Sequence, residues 1–263
     1  MSDIKPLAVV TGASSGIGFE LAKLFAEHGF DLLVNAEDES LGPAAERLEG
    51  AGVHVQPVQA DLSTYEGVEQ LYAALTATGR PVEAAALNAG VGKGGAFLDT
   101  DLADEIKIID VNITSTVHLA KYLLREMVAR GTGKVLISSS IASTMPGTFQ
   151  AVYNASKSFL QSFAVALQSE LKGTGVTVTS LMPGPTETNF FHRADMDDTR
   201  VGQASKDDPA DVAKQGFDAL MRGKNRVVAS SAMSKVMGTA NKVLPDRLKA
   251  AAHRLMAKPG SGR

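Results

Sequence analysis

Apolar segments of four to six residues alternate with longer segments of 3.6-residue periodicity almost from end to end of the chain, the pattern of a parallel sheet covered by helices. The short segments predict strands over 6–11, 31–36, 53–58, 83–88, 134–139, 175–181 and 226–229. Several are apolar at consecutive positions, as strands covered on both faces must be. Between them Ile106, Ile109, Ile113, Val117, Ala120 and Leu124 recur at three and four residues, and Phe159, Phe163 and Leu167 at four, each marking one face of a long helix. Gly131 and Gly133 are expected to stop the first helix, Gly173 and Gly175 the second. No repeat or linker interrupts the pattern. The expectation is one α/β domain over 1–258, a Rossmann-type doubly wound fold with a seven-stranded parallel sheet in three α/β/α layers, and a frayed end over 259–263.

Composition narrows the function. The 263 residues are 44% hydrophobic and 21% charged, ordinary for a globular protein. No apolar run approaches the ~20 residues of a membrane-spanning helix. The N-terminus lacks the charged and long apolar regions of a secretory signal, so none is expected. The absence of cysteine excludes a disulfide framework, thiolate catalysis and Cys-ligated zinc, fits a cytoplasmic address, and leaves no metal site expected. Charge is divided unevenly: residues 222–263 hold 10 basic side chains and one acid, while residues 1–221 hold 16 basic and 28 acidic, a net of +9 against −12. An acidic body argues against a nucleic-acid partner, whose phosphates need Lys and Arg.

Directly after the first strand stands Thr11-Gly-Ala-Ser-Ser-Gly-Ile-Gly18, and a helical pattern follows from Phe19. Strand, glycine-rich turn and helix in that order suit a dinucleotide. Gly12 permits the turn, Gly16 lets the backbone approach a pyrophosphate, and Gly18 lets helix and strand pack closely. Glu37 lies 19 residues after Gly18, where a carboxylate can accept from the adenosine ribose. The acidic run Glu37-Asp-Glu39 would repel a 2′-phosphate, and no Arg or Lys at Ser14, Ser15, Asn35 or Ala36 offsets it. NAD is therefore expected over NADP.

Tyr153 and Lys157 fall at i and i+4 near the start of a helix and share one face. An ammonium beside a phenol stabilises the phenolate, so Lys157 is expected to lower the Tyr153 pKa. The preceding strand ends in Ser138-Ser-Ser140, which puts hydroxyls where a substrate carbonyl could accept.

Together these residues resemble the short-chain dehydrogenase/reductase family in its form of about 250 residues, over nearly the whole chain. Thr11–Gly18 resembles the family's TGxxxGxG, Asp61 with Leu62 its adenine-side Asp, Asn88-Ala-Gly90 its NNAG, Asn112 its helix Asn, and Tyr153 to Lys157 its YxxxK. Ser140 precedes Tyr153 by 13 residues, the place of the family's catalytic Ser. Leu87 departs from the first Asn of NNAG. The resemblance implies Tyr153 as general acid and base, Ser140 bonding the same substrate oxygen, Lys157 on the nicotinamide ribose, and Asn112 orienting a proton-relay water through a bend in its helix. It further implies that Ser14, Ser15, Ile17, Asn88 and Gly90 join the glycines around the cofactor. Pro183, Gly184, Thr186 and Thr188 would hold the nicotinamide carboxamide. The implied activity is hydride transfer between NAD(P)(H) and a small-molecule alcohol or ketone. The same fold acting as an epimerase or dehydratase, or as a nucleotide sensor without turnover, stays open.

The segment 189–209 resembles the family's mobile substrate lid, with Phe190, Phe191, Met145, Met196 and Phe149 as candidate pocket residues and His192 without a role. The basic stretch Met233–Met256 is expected to dock on the acidic body or a second subunit; lying on a membrane surface is the alternative, which Pro245 disfavours by breaking the stretch. Tyr122, Met127 and Phe159 extend the long helices' apolar surface beyond one stripe, which suggests a homodimer or homotetramer.

Overall fold

Alternate side chains of Leu7–Thr11 (β1) separate to the two faces of a sheet: Ala8 and Val10 enter one apolar cluster, Leu7 and Val9 another. The computed structural model describes residues 5–229 and 245–262. After β1 come α1 (Gly16–Glu27), β2 (Asp31–Ala36), α2 (Leu41–Glu49), β3 (Val55–Gln59), α3 (Tyr65–Ala77) and β4 (Val82–Leu87). The second half runs α4 (Leu102–Ile109), a π-turn (Asp110–Thr114), α5 (Ser115–Arg130), β5 (Gly133–Ser138), a 3₁₀ turn (Ile141–Thr144), α6 (Ala151–Glu170) and β6 (Val176–Pro183). Two short helices follow, α7 (Phe190–Arg193) and α8 (Arg200–Gln203), then α9 (Pro209–Met221), β7 (Arg226–Ala229) and α10 (Asp246–Ala257). Each strand lies within two residues of its expected bounds.

All seven strands are parallel, in the order β3-β2-β1-β4-β5-β6-β7. The order reverses direction between β1 and β4, where an open α/β sheet forms a crevice at its carboxyl edge. On one face α1, α2 and α9 close over the strands, with Phe25 fully buried edge-on to Phe30 and Phe217. On the other, Leu71 of α3, Leu119 and Leu123 of α5 and Leu160 of α6 do the same. A third, smaller cluster joins Phe191, Ala194 and Met196 of the lid segment to Ala257 of α10.

The long helices differ from the expectation. What the isoleucine repeat reads as one helix is α4, the π-turn and α5; Ala120 and Leu124 of the expected stripe are in the core, joined there by Ile108, Val111, Leu119, Leu123 and Met127. Ile106 and Ile109 point outward, at 47% and 36% exposed. The extra residue of the π-turn is stabilised by tertiary bonds of Asn112, which a sequence period does not register. Gly131, at φ +75°, ends α5 as expected, whereas Gly133 already belongs to β5. α6 stops at Glu170, before Gly173 and Gly175, which lie in the turn that follows. The end expected to fray is held instead: Gly260 N donates to Asp198, Gly262 N to Asp198 O, and Arg200 Nε to Ser261 O. Of the basic tail, residues 233–244 lie outside the described residues; Pro245 stands at the start of α10 rather than inside a helix.

Candidate active site

Three strand ends are tied together at the sheet's carboxyl edge. Thr11 Oγ1 accepts from Asn88 N (2.9 Å) and Ala89 N (3.0 Å), Asn88 Nδ2 donates to Thr11 O (3.3 Å), and Ser138 Oγ donates to Asn88 Oδ1 (2.9 Å). The glycine loop then turns at Gly12, φ +67°, into α1. At Gly18 a Cβ would stand 2.0 Å from Gly12 O, so no other residue lets helix and loop approach this closely. Thr64, Asp101, Thr199 and Asp208 cap the starts of α3, α4, α8 and α9 with their side chains; α1 has no such cap. Its first-turn N–H groups suit an anion.

A cavity of about 780 Å³ lies over this edge. Lining it are Gly12, Ser14, Ser15, Gly16, Ile17 and Gly18 of the loop, Glu37 after β2, and Asp61 and Leu62 after β3. Asn88 and Gly90 after β4, Ser140 after β5, Tyr153 and Lys157 of α6, and Pro183 at the end of β6 with Gly184, Thr186 and Thr188 after it complete that wall. Asp61 accepts from Ser63 N (2.9 Å); burial would raise its carboxyl, but the bonds from Ser63 and the charge of Lys107 hold it below the usual range. Asn112 does not reach the cavity. Fully buried in the π-turn, its amide accepts from Val91 N (2.9 Å) and donates to Val91 O (3.0 Å) and Ser156 Oγ (2.9 Å). These bonds fix the Gly90-Val91 wall through the expected bend.

Tyr153 and Lys157 sit on one face of α6, with Lys157 Nζ 5.8 Å from the phenol ring centre. Burial pushes the Tyr153 phenol up to about 12, and a hydrogen bond with Ser140 works against it. Burial also drives the Lys157 ammonium down to about 8. The net shift of Tyr153 is thus upward where a lowering was expected, because burial outweighs the bond with Ser140 and Lys157, itself desolvated and bonded to Ser138 O (3.0 Å), does not offset it.

Glu37 has partners that its neighbourhood in sequence does not show. Lys107 Nζ of α4 pairs with its carboxylate at 3.0 Å, and Arg193 of α7 pairs with the other oxygen. Asp38 accepts from Ser14 Oγ (2.9 Å). The lid segment therefore reaches across the cavity to the end of β2. It is held on another side by Lys93, bridging Asp195 and Asp104 at 2.7 Å each. Phe190, Phe191 and Met145 line the cavity, with Phe190 5.1 Å from Tyr153 between ring centres. Met196 is instead wholly buried in the lid cluster and Phe149 packs against it. His192 faces solvent, bonded to Asp197 (2.7 Å). Lys249, Ala252, His253 and Met256 of α10 add a wall that the sequence does not reveal.

The short chain dehydrogenase family model matches residues 6–199. Oxidoreductase UcpA of Salmonella typhimurium is 31% identical over 216 residues, 81% of this chain and 79% of that protein. A short-chain dehydrogenase from Sphingobium yanoikuyae, solved with NADPH, superposes with a TM-score of 0.79 at 27% identity, covering 90% of this chain and 94% of that one. One from Burkholderia phymatum, solved with NAD, gives a TM-score of 0.81 at 26% identity, covering 90% and 92%.

A buried ammonium held near 8 costs the fold stability at neutral pH. The folded state binds its proton less tightly than the unfolded chain does, so stability rises as pH climbs from about 8 toward 10.5. Lys157→Met should raise the unfolding free energy at pH 7 by about 2 kcal/mol, relief of about 3 less about 1 for the lost bond to Ser138. Urea unfolding at pH 7 and pH 10 measures this: the gain should shrink at pH 10. A destabilised variant at pH 7 would show that burial does not dominate here.

Proposed function

The chain belongs to the short-chain dehydrogenase family of NAD(P)-dependent oxidoreductases, and on that premise we propose that it moves hydride between NAD(H) and the alcohol or carbonyl of a small, moderately apolar substrate, with Tyr153 as general acid and base. The observation that carries the reading is the meeting of an uncapped glycine-loop helix with Ser140, Tyr153 and Lys157 in one cavity. A dinucleotide fits that cavity, since the Cβ-free cradle at Gly12, Gly16 and Gly18 leaves backbone N–H groups for its pyrophosphate. Asp61 and Leu62 would flank the adenine, Glu37 its ribose, Asn88, Gly90, Tyr153 and Lys157 the nicotinamide ribose, and Pro183, Gly184, Thr186 and Thr188 the carboxamide. The bound nicotinamide supplies or accepts the hydride.

The rest of the chemistry belongs to the chain. Tyr153, protonated throughout the neutral range, gives its proton to the substrate oxygen during reduction and recovers it in oxidation. Ser140 donates to the same oxygen as negative charge develops there. Lys157, charged below about pH 8, stabilises the phenolate left behind. Asn112 acts at one remove, by fixing the Gly90-Val91 wall.

The cofactor reading favours NAD. A carboxylate beside a ribose hydroxyl gains a charge-assisted bond of ~1.5–3 kcal/mol, whereas beside a 2′-phosphate it costs ~1–4 kcal/mol. Ser14 is turned to Asp38. Lys107 and Arg193 moderate the preference, because they bring cations to the same place. The apolar side chains left outward on α4 and α6, among them Ile106, Ile109, Phe159 and Val165, support a homodimer or homotetramer. Of the residues expected to extend that surface, Met127 is core and Tyr122 is bonded to Glu69, so only Phe159 takes part. A chain without cysteine fits a cytoplasmic setting.

Tyr153→Phe should abolish NADH-linked turnover of ketones while leaving NADH affinity within a few-fold; near-normal kcat would remove Tyr153 from the proton step, and turnover without net NADH consumption would favour the epimerase or dehydratase. The natural protein should prefer NADH by at least about tenfold in kcat/KM, ~1.4 kcal/mol. Arg193→Ala should widen that ratio and Ala36→Arg with Glu37→Arg should invert it, whereas a natural preference for NADPH would turn Glu37 out of the ribose site. Light scattering at micromolar concentration should give at least twice the chain mass, and Ile106→Glu with Phe159→Glu should give the monomer; a monomeric natural protein rejects the assembly.

A further inference from the structure

α10 meets the cavity along a single stripe. Lys249, Ala252, His253 and Met256, spaced at three and four residues, line it, while Leu248 and Leu255 face away. Two bonds fasten this helix to the loop before α6: Thr148 Oγ1 donates to Ala250 O (3.0 Å), and His253 Nδ1 donates to Thr148 O (2.9 Å). A carbonyl can only accept, so in the neutral ring Nδ1 carries the hydrogen and Nε2 keeps a lone pair. Burial holds His253 below the usual imidazole range, although the bond to Thr148 raises it, so the neutral form prevails. Nε2 has no partner among the described residues, and the proton transfers assigned to Tyr153 do not use it.

One turn earlier Lys249 brings a donor to the same stripe. Its side chain is 12% exposed, while its partner Asp246, at 3.1 Å, is 78% exposed and outside the cavity wall. An acceptor and a donor one helical turn apart complement a hydroxyl, which donates one hydrogen and accepts through two lone pairs. A carboxylate would meet the Nε2 lone pair, and an alkyl group would leave the His253 acceptor unsatisfied. Met145, Met256 and Phe190 provide the apolar surface for the carbons between.

We propose that the substrate carries a second hydroxyl, remote from the carbon that exchanges hydride, and that His253 and Lys249 seat it. The class is then hydroxyketones and the corresponding diols. The inference rests on the carbonyl-reductase reading above and deepens it.

The test is reduction, with NADH, of a homologous series of ω-hydroxy-2-ketones, each beside the unhydroxylated 2-ketone and the ω-carboxylate. One chain length should favour the hydroxyketone over both by at least about tenfold in kcat/KM, since a site built to bond a hydroxyl rejects analogues lacking it. His253→Phe should bring that ratio close to one, chiefly through KM, and His253→Gln, which restores an acceptor, should recover part of it. Arg247→Met, on an exposed part of α10, should preserve the ratio. The proposal falls if the ketone or carboxylate is equal or better at every length, or if His253→Phe slows all three alike, as a purely structural histidine would. Calorimetric binding of the same compounds to the Tyr153→Phe protein loaded with NADH reads the contact without turnover. If no ketone is reduced, the reading of Tyr153 fails, and the hydroxyl seat is still decided by whether the hydroxyketone binds at least about tenfold tighter than its partners.

Discussion

The hydrogen-bond chain Thr11, Asn88, Ser138 fixes the relative positions of the loops at the floor of the cavity. It joins the ends of β1, β4 and β5, the three strands that carry the glycine loop, the Gly90 wall and the serines. These groups sit at the sheet's edge, where the ladder between strands no longer constrains the chain. Without side-chain ties each loop would leave its strand independently. Asn88 satisfies both halves of its amide in this way, so the same residue that faces the cavity also holds its floor together. Lys157 belongs to the same assembly through Ser138 O, so the ammonium takes its position from the floor as much as from its own helix.

Positioning Lys157 this way removes it from water, with the consequence that its charge is held weakly. Desolvation moves Lys157 down and Tyr153 up, and the single bond with Ser140 does not offset it for the phenol. The site thus keeps a strained ammonium beside a phenol that is reluctant to ionise. That arrangement disfavours phenolate until another group in the cavity shares the charge, and it keeps the proton on Tyr153, as the proposed acid role requires.

What the sequence makes legible is local. The seven strands follow from apolar runs bounded by turns, the glycine loop from spacings within eight residues, and the Tyr153 and Lys157 pair from a single helical turn. What it hides depends on partners far along the chain. Ile106 and Ile109 of α4 keep a helical period while facing outward, and the core takes Ile108 and Val111 in their place. Arg193 and Glu37 are 156 residues apart, and His253 and Thr148 are 105 apart, so no window brings either pair together. The glycine-rich terminus reads as fraying, yet Asp198 and Arg200 of the lid segment bind it.

These distant partners make the lid unequal on its two sides. Toward the end of β2 it is held by Arg193 with Glu37, and beside α4 by Lys93 with Asp195, in which one side chain of each pair is about half exposed or more. Such pairs are worth about 0–1 kcal/mol each. Toward α10 it is held by Phe191, Met196 and Ala257 in a buried cluster, where each large side chain contributes about 1.5–3 kcal/mol, and by the bonds of Asp198 and Arg200. The segment is thus fastened more firmly to α10 than to the end of β2, and the stripe of Lys249, Ala252, His253 and Met256 lies on the more firmly held of its sides, with His253 bonded to Thr148.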